Sequence, residues 1–227
     1  MSKTVRSMFD SIAGRYDTLN HILSSGRDMS WRRRSVGLLP GLGVSMRVLD
    51  LCGGTGDFSL ALRKSGFQGD CVLADFSRPM LGLSRKKSVL RAEPVLADAL
   101  SPPFKEKTFD ALLCAFGMRN LDNVEEGIHH AHGLLKTGGC FLTLEFFRPT
   151  TPFSRILYHI LAPVLMPLVG KILGSRSSAY AYLADSVAGF CNVEEYRMKC
   201  QAAGFIEIQI LSLDFGVAHA VLARKGI

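Results

Sequence analysis

The sequence predicts an α/β fold: a doubly wound, mostly parallel seven-stranded sheet with helices on both faces. Three observations predict it. Apolar runs of strand length alternate with helical patterns from Arg47 to Glu145, the rhythm of successive βαβ units. The run 109–116 (FDALLCAF) is apolar almost throughout, as a strand covered on both faces must be. The run 47–51 carries an acid, Asp50, one residue before its end and breaks into Cys52-Gly53-Gly54-Thr55-Gly56-Asp57 before a helical pattern. That is a buried strand, a tight turn and a helix start, where glycines admit positive φ and unpaired N–H groups meet a ligand.

The elements follow in order. Residues 1–44 read as a helical cap rich in aromatic and basic side chains. Strand 47–51 leads through the glycine turn to helix 59–64. Strand 70–75 ends in Asp75, and helix 77–88 follows, with Ser77 as its N-cap and Pro79 in its first turn. A short strand, 94–97, precedes strand 109–116. Helix 124–135 stops before Lys136-Thr137-Gly138-Gly139, a turn leading into strand 140–145. Residues 150–190 interrupt the rhythm and read as a lid insertion within one domain, 1–227. Helix 193–203 has Gly204 as its stop. Strands 206–214 and 217–224 close the chain as a hairpin through Phe215-Gly216.

The balance of 48% hydrophobic and 21% charged residues in 227 excludes a disordered chain and allows a full core. The net charge of +7 leaves nucleic acid, an anionic membrane surface and an acidic ligand open. Six cysteines without a C-x-x-C pair read as reduced, mostly buried thiols, not a zinc site. The N-terminus lacks the apolar core of a signal peptide, so a cytoplasmic location is expected. Segment 153–173 is nearly long enough to cross a bilayer. Arg155, His159 and Lys171 interrupt it and Pro163 and Pro167 kink it, so it reads as two short amphipathic helices. Contact with the inner face of the membrane stays open.

Ligands in open parallel sheets bind beyond the strands' carboxyl ends. Asp50, Asp75, Phe116 and Glu145 sit at such ends. Asp75 can accept two hydrogen bonds from a ribose diol, or it can cap the helix that follows. Asp98-Ala99 stands at the third strand's end. Ser101-Pro102-Pro103-Phe104 mimics a target-nitrogen motif but lies before the fourth strand, so it reads as a loop. His129, His130 and His132 read as a solvated helix face, with no metal expected. Arg32-Arg33-Arg34 reads either as a solvated helix face or as a contact for anionic phospholipid.

Val48 to Asp57, reading VLDLCGGTGD, resembles motif I of the S-adenosylmethionine (SAM) methyltransferases, a Rossmann-like fold. Further stretches narrow the resemblance. Phe9-Asp10-Ser11-Ile12-Ala13-Gly14-Arg15-Tyr16-Asp17 with Asn20, Trp31-Arg32, Phe116-Gly117-Met118-Arg119-Asn120, Leu144-Glu145-Phe146 with Pro149, and Tyr180-x-Tyr182-Leu183-x-x-Ser186 are similar to signatures of the menaquinone/ubiquinone-biosynthesis C-methyltransferases. The resemblance covers nearly the whole chain. It departs at Ala115, where the family has serine, at Cys52, where alanine is usual, and at Phe147, where a small hydroxyl is expected.

The resemblance implies SAM as cofactor, held by Asp50, Gly53, Gly54, Thr55, Gly56, Asp75, Phe76, Asp98, Ala99 and Ala115. It implies methyl transfer to a ring carbon of a demethylated polyprenyl quinol, with Arg119 and Asn120 catalytic and Tyr16, Tyr180 and Tyr182 walling the substrate pocket. Arg119 would steady a phenolate and orient a water; a structural ion pair to Glu145 or Asp122 is its alternative role. Methylation of RNA or of another small molecule is the competing activity, although no nucleic-acid partner is expected. A homodimer remains open.

Overall fold

The computed structural model describes residues 3–41, 43–87, 91–150 and 178–226. Three helices come first: α1 (Lys3–Ile12), α2 (Tyr16–Leu23) and α3 (Asp28–Val36), with a 3₁₀ turn, Ala13–Arg15, joining the first two. Strands β1 (Arg47–Leu51), β2 (Asp70–Asp75), β3 (Ala92–Leu96), β4 (Phe109–Ala115) and β5 (Leu135–Glu145) then alternate with α4 (Asp57–Lys64), α5 (Arg78–Lys86) and α6 (Val124–Leu134). After α7 (Ser178–Gly189) and α8 (Val193–Ala202), strands β6 (Phe205–Leu213) and β7 (Ala218–Lys225) complete one sheet, ordered β3-β2-β1-β4-β5-β7-β6. The first five strands are parallel, and β7 runs antiparallel to both neighbours.

The strand order reverses between β1 and β4, which places a binding crevice at their carboxyl ends. Burial explains why this sheet forms. Val48, Leu49, Leu112, Leu113, Leu142 and Leu144 are fully enclosed, and two apolar clusters cover the two faces. Phe147, where a small hydroxyl was expected, is buried in an aromatic group with Phe190 and Tyr196 (centroids at 5.5 and 5.2 Å). The Tyr196 hydroxyl shares a buried hydrogen bond with Thr143 Oγ1 at 2.9 Å.

Most sequence-predicted elements are present with ends moved by a few residues. One difference has a clear cause. β5 begins at Leu135, so the stretch expected to be a turn belongs to the strand. Leu135 pairs with Phe109, the register shifts, and Cys140 pairs with Ala111. A Cβ at Gly139 would meet the carbonyls of Lys136 and Asp110 at 2.9 and 3.0 Å. The glycines therefore serve an irregularity of close-packed backbone inside the strand. The expected lid falls largely on residues 151–177, outside the described residues. Among the described residues no helix is long and apolar enough to cross a membrane.

Candidate active site

The glycine loop is held from below. Cys52 turns the chain with φ 55°, and the Gly53 N–H donates to the Ala74 carbonyl at 3.0 Å, tying the loop to β2. A Cβ on Gly53 would meet Leu73 Cγ at 2.9 Å and Asp50 at 3.0 Å, so only glycine brings the backbone this close. Asp50 is fully buried. Its Oδ2 accepts from Ser59 N at 2.9 Å and Ser59 Oγ at 2.6 Å. Its Oδ1 has no partner among the described residues. Burial pushes this carboxyl up to about 6, because desolvation disfavours the charged form.

Asp75 ends β2 beside the loop. Its Oδ2 accepts from Gly54 N at 2.9 Å and its Oδ1 from Ser77 N at 2.8 Å. It therefore caps the chain entering α5, one of its two expected roles. A carboxylate has about four lone-pair sites, so two hydrogen bonds leave acceptor capacity for a diol. Burial pushes this group, too, up to about 6.

The N-terminal helices close over this loop. Ser77 Oγ donates to Asp10, and Thr55 Oγ1 donates to Asp17, each at 2.5 Å. Lys87 Nζ reaches Asp57 at 2.6 Å and Asp17 at 2.9 Å. The Phe9 ring meets Tyr16 and Phe76 edge-on. Two narrow clefts remain. One is walled by Phe9, Tyr16, Gly54, Asp75, Phe76 and Asn120, the other by Tyr16, Arg32, Asp50, Gly53, Thr55 and Ala115. They hold about 30 and 20 Å³, against the ~300 Å³ or more of a ligand site.

A second cluster lies just past β4. Phe116 adopts φ 56°, and Gly117 follows where a Cβ would meet Cys52 Cβ at 2.6 Å and Cys114 Sγ at 2.8 Å. The chain then forms a 3₁₀ turn, Met118–Asn120. The Arg119 guanidinium pairs with Glu145, which is wholly enclosed. Arg119 N–H also donates to Glu145 Oε2 at 3.3 Å. Burial raises the Glu145 carboxyl, and Arg119 opposes that rise. The Phe116 and Phe146 rings stack at 4.6 Å. Arg119 lies over both, and Arg32 lies over Phe116 at 5.4 Å. Asn120 Nδ2 donates to the Phe116 carbonyl at 2.9 Å, and the Tyr182 hydroxyl donates to Asn120 Oδ1 at 3.0 Å. Arg119 and Tyr182 open onto a groove of about 1100 Å³.

The structure thus gathers Tyr16, Asp50, Gly53, Gly54, Thr55, Asp75, Phe76, Ala115 and Asn120 around the two clefts. Gly56 is the left-handed N-cap of α4 behind them. Asp98 and Ala99 follow β3 outside the clefts' walls: Asp98 Oδ1 accepts from Leu100 N, and Ala99 is buried in the core. Tyr180 lies on α7, its side chain outside those described. Arg119 does form the ion pair with Glu145 that was its alternative role, while still reaching the groove.

Arg32 was read as part of an exposed charge run. It is 4% exposed and paired with Asp28 at 2.7 Å. The signal available was the i, i+4 carboxylate of Asp28 beside Trp31. The Trp31 indole donates to Asp214 at 2.6 Å, so the β6–β7 hairpin holds α3 in place.

Residues 1–225 match the model of the ubiE/COQ5 methyltransferase family. A demethylmenaquinone methyltransferase of Thermus thermophilus is 38% identical over 93% of this chain and 96% of its own length. A ubiquinone/menaquinone biosynthesis C-methyltransferase of Pseudomonas putida is 35% identical over 100% of this chain and 89% of its own. Among solved structures, a SAM-dependent methyltransferase from Thermotoga maritima, titled a possible histamine N-methyltransferase, superposes with a TM-score of 0.70. That match has 19% identity and covers 97% of this chain and 99% of the other. A phosphoethanolamine N-methyltransferase from Haemonchus contortus, bound to S-adenosylhomocysteine, gives 0.70 at 14% identity, covering 98% of this chain and 60% of that one. The donor set fits the cofactor: a buried acid beside a Cβ-free loop, a second acid at the end of β2, and a buried arginine facing the first. This chain belongs to the ubiE/COQ5 methyltransferase family and is an enzyme that uses S-adenosylmethionine.

Proposed function

We propose that this chain methylates a ring carbon of a demethylated polyprenyl quinol, with demethylmenaquinol as the first substrate to test and a ubiquinone precursor as the second. The relatives' names supply the substrate class. The observation that carries the reading is Asn120, which walls the cofactor cleft while its amide oxygen accepts from Tyr182 in the neighbouring groove. A methyl donor on one side and a ring on the other would meet at this residue.

The cofactor supplies an activated methyl group, so the protein's task is positioning and charge. A quinol carbon becomes nucleophilic when the adjacent hydroxyl loses its proton. A permanently charged guanidinium held in place favours that phenolate. Arg119 meets the requirement: Glu145 and the stacked rings of Phe116 and Phe146 fix its orientation. Its Nε is buried without a partner among the described residues. Arginine is too basic to take the proton itself. It would instead hold the oxygen, or a water that removes the proton, while Asn120 and Tyr182 orient the ring. Glu145 pairs with Arg119, and Asp17 with Thr55 and Lys87.

The test is incubation of the enzyme with methyl-labelled cofactor and membrane quinols from a strain lacking this gene. Mass analysis should find one labelled methyl on the quinone ring. Label recovered in RNA, or in no quinone, would contradict the proposal.

A further inference from the structure

The β6–β7 hairpin turns at the sheet edge that carries the site. His219 of β7 pairs with Glu145 at the end of β5, so the turn Asp214–Gly216 stands just beyond the carboxyl end of that strand. Two of its residues have left-handed backbone, Asp214 at φ 45° and Phe215 at φ 59°. For a bulky aromatic residue that conformation is strained. Phe215 is also 80% exposed. A single exposed apolar side chain is ordinary. Among the exposed large apolar side chains of the described residues, however, only Phe215 is aromatic and only Phe215 has positive φ. We propose that Phe215, with Arg27 and Arg34 beside its turn and Arg33 on α3, docks this edge of the protein on a bilayer that contains anionic phospholipid. This role rests on the proposed quinol substrate, whose polyprenyl tail resides in a bilayer.

The charge around the turn favours that partner. Arg27 Nη2 donates to Asp214 Oδ1 at 2.9 Å, and Arg34 Nη1 lies 3.9 Å from the same oxygen. One carboxylate thus gathers two guanidinium groups, whose side chains stay 62% and 45% exposed. Arg33 adds a third exposed guanidinium on α3. Basic side chains near an anionic leaflet are drawn to its surface potential. An aromatic ring among them can enter the headgroup boundary. The structure therefore divides the run 32–34 between two uses: Arg32 is buried, while Arg33 and Arg34 stay outside. The same turn is connected to the site. Asp214 accepts from the Trp31 indole, Trp31 meets Phe146 edge-on at 5.8 Å, and Arg119 lies over Phe146 at 5.6 Å. Docking at the hairpin would bring the sheet edge that carries Arg119 toward the headgroups, so a quinol ring could reach it while the tail stays in lipid.

The competing explanation is that Asp214 only ties the hairpin to α3 and Phe215 is an incidental tip. Sedimentation with vesicles separates the two, one set of phosphatidylcholine alone and one an equimolar mixture with phosphatidylglycerol. The unaltered protein should bind the mixed vesicles more tightly than the neutral ones and be released as salt rises. Phe215→Gly should weaken binding to the mixed vesicles about tenfold, since the buried ring is lost. It should melt no lower than the parent, because glycine suits φ 59°. Arg33→Gln should weaken binding to the mixed vesicles about fivefold and leave binding to the neutral ones unchanged. Both variants should turn over a short-tailed quinol in solution at the parent's rate, and a long-tailed quinol in mixed vesicles more slowly. Failure of the unaltered protein to sediment with either vesicle, or equal sedimentation of the parent and both variants, would overturn the docking surface. So would salt-sensitive binding of RNA with no binding of vesicles. Vesicle binding that depends on Phe215 and Arg33, with no quinol methylated, would uphold the docking surface and refute the substrate.

Discussion

The Tyr182 hydroxyl donates to Asn120 Oδ1 at 3.0 Å, and this hydrogen bond ties α7 to the turn that walls the cofactor cleft. It places a residue of the large groove and a residue of the cleft on one network. Tyr182→Phe removes the donor and keeps the ring. Turnover should fall about tenfold, the scale of one lost hydrogen bond, with cofactor affinity unchanged. Steady-state kinetics beside cofactor titration measure both.

Arg119 and Glu145 should behave as a unit in stability and separately in catalysis. Arg119→Gln leaves a buried carboxylate unpaired, a loss of about 3–5 kcal/mol. Replacing both, as Arg119→Met with Glu145→Leu, should recover most of that loss. Activity should stay down about 100-fold or more in both variants if the guanidinium stabilises the phenolate. Denaturant melts and turnover of the folded fraction check this; a double variant with restored activity would show that Arg119 is only structural.

Asp50 gives a pH dependence with a definite sign. Burial raises its carboxyl to about 6, above its usual 3.8. The folded state therefore holds the proton more tightly than the unfolded state. The resulting stabilisation is complete below about pH 4 and is lost as pH rises through 6. Asp50→Asn can keep both hydrogen bonds from Ser59 through its carbonyl oxygen and removes the buried charge. Without cofactor it should be more stable than the parent by about 3 kcal/mol at pH 8. The difference should vanish near pH 3.5. Thermal melts across that range are the measurement.

Asp10 and Asp17 fasten the cap through Ser77 and Thr55. Replacing both by alanine should speed cofactor dissociation by about tenfold or more, since two hydrogen bonds to the closed state are lost. Stopped-flow displacement of bound S-adenosylhomocysteine reads the rate.

The framework was legible because its elements are locally consistent. β1 and β2 have the bounds that their apolar runs suggested, and Ser77 does cap α5, its Oγ accepting from Met80 N. The glycine-rich stretch in β5 misled because glycine marks both turns and irregularities of packed strands; only the partner strand decides. The motif residues around Asp75, Thr55 and Asn120 stand together because one sheet edge gathers strand ends that are distant in sequence. Arg32 was missed for the opposite reason. A long charged side chain reads as solvated unless its buried partner is known, and Asp28 becomes informative only when α3 packs against β5 and the hairpin. Of the groove's lining from 182–190, Tyr182 was expected and Asp185, Gly189 and Phe190 were not, since hydropathy does not fix which side chains of a helix face inward.

The most direct test compares the reduced and oxidised forms of demethylmenaquinone as methyl acceptors, with fragmentation mass spectrometry locating the new methyl. The account predicts transfer to the unsubstituted ring carbon of the quinol, no transfer to the quinone, and loss of the quinol reaction in Arg119→Gln at unchanged cofactor affinity. Methylation at oxygen, or equal rates on both redox forms, would contradict it.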